Sequence, residues 1–194
     1  MSRIIEALLE EHRNIDKLLG VLKQELEVFD HCDRPDYEIL QAVIQYFQDY
    51  PDSYHHPKED MVFAKLKVRD PAVAKRIGDV EAEHVIEGNR LRQVAEAVAF
   101  IAGGGEFLRQ DFHDAVHNFI EHQRQHMQNE ERSLFPAAVK ALLPEDWAEI
   151  DARMKDQKDP LFNDVIEKKF QSLHRTILQW EKDTEETRHD MHRN

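Results

Sequence analysis

The residues with the clearest chemical potential are imidazoles and carboxylates placed four apart. His55 and Glu59 stand at i and i+4 within "HHPKED", and His126 and Glu130 repeat that spacing within "HMQNEE". On a helix such a pair shares one face, so both side chains can grip one ion or a pair of ions. His12 and His84 each interrupt an otherwise apolar stripe. The order also repeats: His12 and His84 lie 72 residues apart, while His55 and His126, like Glu59 and Glu130, lie 71 apart. Glu11-His12 echoes Glu83-His84, and Glu59-Asp60 echoes Glu130-Glu131. Two helix pairs of similar design would relate by a pseudo-twofold, with six polar side chains converging on its midpoint.

The elements that must position these residues read as helices throughout. No sustained period-2 alternation and no Asn-Gly or Asp-Gly hairpin signal occurs, whereas helical periodicity runs along the whole chain. The first helix is predicted from Ser2, a natural N-cap, to about Phe29. The second runs from about Asp36 to about Lys67, with a kink or short break near residues 50–54 set by Pro51 and Pro57. "RDPAV" opens the third, with Pro71 in its first turn, and "GGG" at 103–105 ends it. The fourth spans about Glu106 to about Leu142, with Pro136 bending or tightening its last part. A short helix near 145–155, a break at "KDPLF" and a last helix over 161–188 follow. Long helices with short connections imply an all-α, up-down-up-down four-helix bundle over residues 1–142. Residues 143–194 form extra C-terminal helices, packed on or beside the bundle or contacting a partner.

Each long helix places a histidine on its inward stripe. The seams read Ile5, Leu8, His12, Ile15, Leu19; Phe47, His55, Glu59, Val62; Val80, His84, Leu91, Val94; and Phe119, Gln123, His126, Glu130. Taken singly, a histidine on an apolar face is most simply a hydrogen-bonded core residue, and a lone H-x-x-x-E is a surface pair. Taken together the balance changes. Burying two carboxylates without compensation costs several kcal/mol each, and no lysine or arginine occupies these inner positions. A metal would supply the missing cation. With no thiolate, zinc-finger and iron–sulfur chemistry are excluded, and mixed imidazole and carboxylate suits iron, manganese or zinc. Four histidines and two bridging glutamates make a dinuclear centre with open positions. Spacing leaves open which histidine serves which ion.

Composition narrows the setting. With 194 residues, 41% apolar and 34% charged, the chain is globular and long enough for a full core. A net charge of −13 argues against nucleic acid and against anionic membrane surfaces. Cys32 is the single cysteine, so no internal disulfide forms and a cytoplasmic location is expected. "MSRIIEALLEEHRN" lacks the apolar run of a signal peptide, and "VAEAVAFIA" at 94–102 is too short to cross a bilayer. Twelve histidines are many for this length.

Over roughly residues 1–142 the chain resembles the hemerythrin-like (HHE cation-binding) family, which holds a non-haem di-iron centre inside a four-helix bundle. His12, "HHPKE" (55–59), "EAEH" (81–84) and "HMQNEE" (126–131) carry the resemblance. It implies His12, His55, Glu59, His84, His126 and Glu130 as ligands of two irons, carboxylate-bridged, with zinc or manganese as substitutes. Oxygen-carrying members have a second histidine four residues after the third-helix ligand, where this chain has Gly88, and end with H-x-x-x-x-D, where it has H-x-x-x-E. The pattern is closer to bacterial repair-of-iron-centres proteins and to iron- and oxygen-sensing domains. The cysteine-containing N-terminal module of repair-type proteins is not seen at the start of this chain. Sensing, stress defence or iron handling with oxygen, peroxide or nitric oxide is the expected role. The rival is a metal-dependent regulatory module without turnover, acting through a protein partner or self-association of residues 143–194.

Other side chains are assigned around the set. His56 is expected near a ligand or at the surface, and His122 to hydrogen-bond a ligand or stand in for one. Tyr50 and Tyr54 are candidate donors or gates beside His55, with packing at the helix break as the plain alternative. Asp60 and Glu131 point to solvent or to a ligating histidine. His113, His117, His174, His189 and His192 are expected in solvent, Cys32 in a loop, and "EKDTEETRHDMHRN" as a fraying end.

Overall fold

The computed structural model describes residues 2–105, 109–154, 159–162, 166–179 and 182. Among them there is no strand. Helix α1 spans Arg3–Asp30, α2 Tyr37–Asp49, α3 His56–Arg69, α4 Pro71–Ile77, α5 Val80–Ala102, α6 Arg109–Asn129, α7 Phe135–Ala141 and α8 Pro144–Arg153. Two π-helical turns, Pro51–His55 and Glu130–Leu134, join α2 to α3 and α6 to α7. The long helices pack as a ring, with α1 on α2 and α6, and α5 on α2 and α6. No helix among the described residues is long and apolar enough to cross a membrane.

Capping explains most boundaries. Asp36 accepts hydrogen bonds from the Glu38 and Ile39 amides, Asp70 from Val73 and Asp79 from Ala82, each starting a helix. Ser2 takes the N-cap place in extended backbone but makes no side-chain cap bond.

The third predicted helix divides where continuity was expected. Gly78 sits at φ +107° and ψ −158°, a region essentially restricted to glycine, and Asp79 caps a new helix behind it. Ile77 therefore ends α4 and does not begin the α5 seam. Gly78→Ala is expected to lower stability by about 1–3 kcal/mol through backbone strain alone, because a Cβ there meets nothing within 4 Å. Urea unfolding of the metal-free protein measures it.

The proline-marked breaks are π turns, wider than an α-helix, so the tightening considered at Pro136 is not what forms. Pro57 and Pro136 have no amide to donate to the preceding turn, and i→i+5 bonding spreads the ladder across that gap. The predicted start of the fourth helix, residues 106–108, lies outside the described residues.

The last predicted helix starts later than expected. Asp159 accepts from the Leu161 and Phe162 amides, and the Glu167 amide donates to the Pro160 carbonyl. A 3-10 turn at Lys168–Phe170 follows, and residues 171–179 are helical. Leu161, Phe170, Leu173 and Ile177 are buried with Tyr46 and Phe47 in the main core. His189, His192 and the expected fraying end other than Lys182 lie outside the described residues.

The core is divided. One apolar cluster runs from Ile15 to Phe29 on α1 and takes in α2, Leu91 to Val98 and Phe112 to Met127. The other gathers Ile4, Ile5 and Leu8 with Val62, Leu66, Leu134, Ala138 and Ile150. Between them in sequence lie His12, His55, Glu59, His84 and Glu130, while His126 immediately precedes Met127 of the first cluster.

Candidate metal centre

All six of those residues are buried, at 0–9% exposure, and they converge. His12, His55 and Glu59 offer donor atoms within 4.8 Å of one another, and so do Glu59, His84, His126 and Glu130. Each half of the pseudo-twofold thus contributes its own pair of imidazoles, and Glu59 belongs to both groups. His12 Nε2 and His55 Nε2 lie 3.1 Å from Glu59 Oε1, and His84 Nε2 lies 3.4 Å from Glu59 Oε2. Glu130 Oε2 is 3.4 Å from His126 Nε2 and 3.5 Å from His12 Nε2. The π turns end at His55 and begin at Glu130, so the local widening of the helix falls on site residues.

Every inward Nε2 has a carboxylate behind its ring. Nδ1 of His12 meets Glu131 at 3.0 Å, that of His55 meets Glu11 at 2.8 Å, that of His84 meets Asp60 at 3.3 Å, and that of His126 meets Glu83 at 2.9 Å. Such partners fix the tautomer and ring orientation of a metal-binding imidazole and raise its basicity. The braces obey the internal repeat: Glu11 on His55 corresponds to Glu83 on His126, and Glu131 on His12 to Asp60 on His84. Of the two expectations for Asp60 and Glu131, solvent or a histidine, each reaches a histidine, His84 and His12 respectively. The repeat of Glu11 and Glu83 ahead of a histidine was visible in sequence, but each braces a histidine of another helix, which no local spacing could reveal.

Electrostatics match a cation site. Burial opposes protonation of these rings, yet the surrounding carboxylates outweigh it. Glu130, Glu131 and Glu59 push His12 up to about 11; Asp60 and Glu59 push His84 up to about 10; Glu83 and Glu130 push His126 up to about 9. His55 is raised as well, by Glu59 and Glu11 against its burial. Glu59 stays ionised despite burial because His55, His12 and His84 surround it, whereas burial and the Glu59 charge raise Glu130. Glu59 Oε2, His84 Nε2, His126 Nε2 and both Glu130 oxygens are buried without a hydrogen-bond partner. Unpartnered donors of this kind, mixed imidazole and carboxylate, fit a first-row transition metal.

Tyr50 is fully buried and its hydroxyl donates to Glu11 at 3.3 Å, so it reaches the brace of His55. Tyr54 packs against the Tyr50 ring. Lys58 is buried too and pairs with Glu11, outside the six. His56 is buried, stacking on His84 with ring centroids 4.0 Å apart. His122 is half-buried, and its Nε2 has no partner. His113 is part-exposed and meets Asp30 through Nδ1. Cys32 is exposed in the α1–α2 loop.

Sequence reasoning passed over Glu87, which is 2% exposed. The α5 stripe runs Val80, His84, Leu91, and alternation of four and three demands an inward residue between His84 and Leu91. That residue is Glu87, so the period held the signal.

No curated protein and no solved structure matches the chain. The family model described as "Hemerythrin HHE cation binding domain" matches residues 3–138. That span contains all six converging residues and their four carboxylate braces, and the chain belongs to the hemerythrin HHE cation-binding domain family.

Proposed function

We propose that His12, His55, Glu59, His84, His126 and Glu130 hold two iron ions, bridged by the glutamates, and that the protein is a non-haem di-iron protein. The reading includes an up-down-up-down bundle over residues 1–142, with residues 143–194 as a C-terminal extension on or beside it. The observation that carries the reading is four imidazoles, each with Nε2 turned inward and Nδ1 braced by its own carboxylate. The chain orients donors, excludes water and holds Glu59 ionised. When bound, iron would supply one-electron chemistry and open positions for oxygen, peroxide or nitric oxide. Sensing, stress defence or iron handling would use that chemistry, and the single cysteine favours the cytoplasm as its setting. A cleft lined by Ser53, Tyr54, Pro57 and Lys58 contains none of the six residues.

A second reading, a switch without turnover, has one observation in its favour. Tyr46 donates to Asp159 at 2.7 Å and stacks on Tyr50, which donates to Glu11, the brace of His55. A chain of contacts thus links the C-terminal segment to the site.

Loading with ferrous iron under anaerobic conditions, then counting metal, tests the main reading. About two irons per chain are expected in the wild type and none in a His55→Ala, Glu59→Ala variant. Equal, metal-free chains of equal stability would leave a helical interaction module. Turnover of peroxide or nitric oxide would separate an enzyme from a switch, for which redox-dependent hydrogen exchange over 159–179 without turnover is the signature.

A further inference from the structure

Three of the chain's four tyrosines are stacked beside the candidate centre. Tyr46 is 0% exposed, and its ring lies 5.2 Å from that of Tyr50, centroid to centroid, at 28°. Tyr50 in turn meets Tyr54 at 5.6 Å. Tyr54 is half-buried and lines the cleft that includes Lys58 and Met61, so the stack runs from the core to the surface. At its middle, Tyr50 donates to Glu11, whose other oxygen meets Nδ1 of His55. The stack thus reaches the site through one carboxylate.

Packing accounts for the rings but not for the hydroxyls. Phe47, Phe162 and Phe170 stand edge-on around Tyr46, in a chain with ten phenylalanines, and one more would fill the same space. A buried hydroxyl costs free energy unless it is bonded. Tyr46 and Tyr50 each end on a carboxylate, a group that can take the proton as well as the bond. The repeat of the site does not require them either. A shift of 71 carries Tyr46, Tyr50 and Tyr54 to His117, Glu121 and Gln125, all exposed.

The two carboxylates differ. Glu11 is already held by His55 and Lys58. Asp159 takes the Tyr46 hydroxyl at 2.7 Å, and burial raises it above the usual carboxylate range, so it accepts a proton more readily. Of the three phenols, Tyr46 is therefore the one equipped to lose an electron and a proton together.

We propose that Tyr46 is a redox-active tyrosine, and that the Tyr46–Tyr50–Tyr54 stack carries single electrons between the central cluster and the cleft. The role rests on the di-iron reading above. Reduction of a peroxide to two waters consumes two electrons and two protons, the protons coming from solvent. When the site has only one electron to give, Tyr46 supplies the other through Tyr50. Its O–H bond breaks, the proton passes to Asp159, and a neutral phenoxyl radical and a carboxylic acid remain. A small one-electron reductant at the cleft, a thiol or an enediol, returns an electron through Tyr54 and Tyr50, and Asp159 gives the proton back.

Two oxidations of the intact chain test this. In the metal-free chain, photogenerated tris(bipyridine)ruthenium(III), a cation drawn to a net charge of −13, withdraws one electron without any iron. A long-lived neutral tyrosyl radical is expected by electron paramagnetic resonance, with a hyperfine pattern that collapses when the tyrosines are ring-deuterated. Tyr46→Phe, which keeps the ring, is expected to lose it. Asp159→Asn, which keeps the acceptor for the Leu161 and Phe162 amides, is expected to shorten its lifetime. Tyr37→Phe is expected to leave it unchanged, since that ring instead carries Arg34. In the second oxidation, iron-loaded chain poised at half oxidation is mixed with peroxide, and the same signal is expected, again lost in Tyr46→Phe. No long-lived radical, or one indifferent to Tyr46→Phe, overturns the proposal. So does a chain that holds two irons and consumes peroxide without a radical at Tyr46. A chain that binds no iron yet forms the Tyr46 radical under ruthenium(III) would overturn the di-iron reading and uphold Tyr46 as redox-active.

Discussion

Glu59→Gln is expected to remove both central ions, a larger loss than any other amide substitution in the cluster. The residue is 0% exposed and faces three imidazoles at 3.1–3.4 Å. It is the one side chain shared by both donor groups, whereas Glu130 belongs to one of them. The amide keeps the volume, so the fold should survive while the charge and a bridging oxygen are lost. Replacing a brace instead should cost about 10–100-fold in affinity, because the imidazole stays but loses its orientation and basicity. Glu11→Gln acts through His55 and Glu83→Gln through His126. Metal competition titrations on the purified variants give the ranking directly. If Glu59→Gln retains both ions with wild-type affinity, the assignment of the centre is wrong.

Chelation of bound metal is expected to lower the melting temperature by about 10 °C near neutral pH. An ion present at about 1,000 times its Kd stabilises by about 4 kcal/mol, and a chain of this size shifts by about 2–4 °C per kcal/mol. The gap should widen as pH rises. In the metal-free chain the raised histidines stabilise the fold fully below their unfolded value near 6.5. That contribution fades as pH climbs through the folded values, about 9 for His126, about 10 for His84 and about 11 for His12. In the loaded chain the imidazoles are neutral ligands, so the same rise in pH removes nothing from them and favours binding by withdrawing competing protons. Calorimetric melts of loaded and stripped protein at pH 6.5 and pH 8.5 measure both halves of this. A gap that narrows with pH would contradict the balance of charges drawn here.

Much of the site could be read from periodicity because each inward residue sits on a stripe of apolar neighbours. His12 lies between Leu8 and Ile15, and Glu59 precedes Val62, all of them buried. What periodicity could not supply was pairing between helices. Glu11 read as an ordinary polar neighbour of His12, and Asp60 as turned to solvent or to a histidine, until the fold set them against His55 and His84. Gly78 was overlooked for a different reason. Ile77, Val80 and His84 keep helical spacing straight across it, so the break lies in backbone angle and not in pattern. The late start of the C-terminal helix has the same origin, since the Asp159 loop is made by side-chain-to-backbone bonds that hydropathy does not register.

The division of the core into two apolar clusters has a mechanical meaning. Helix α1 carries Leu8 in one cluster and Ile15 in the other, with His12 between. The waist separating them is made of carboxylates and imidazoles, whose attraction in the metal-free chain fades as pH rises through the folded histidine values. Each end can then open as a unit of its own. An ion gripped from both sides of the waist acts as a rivet, and the two ends melt together or not at all.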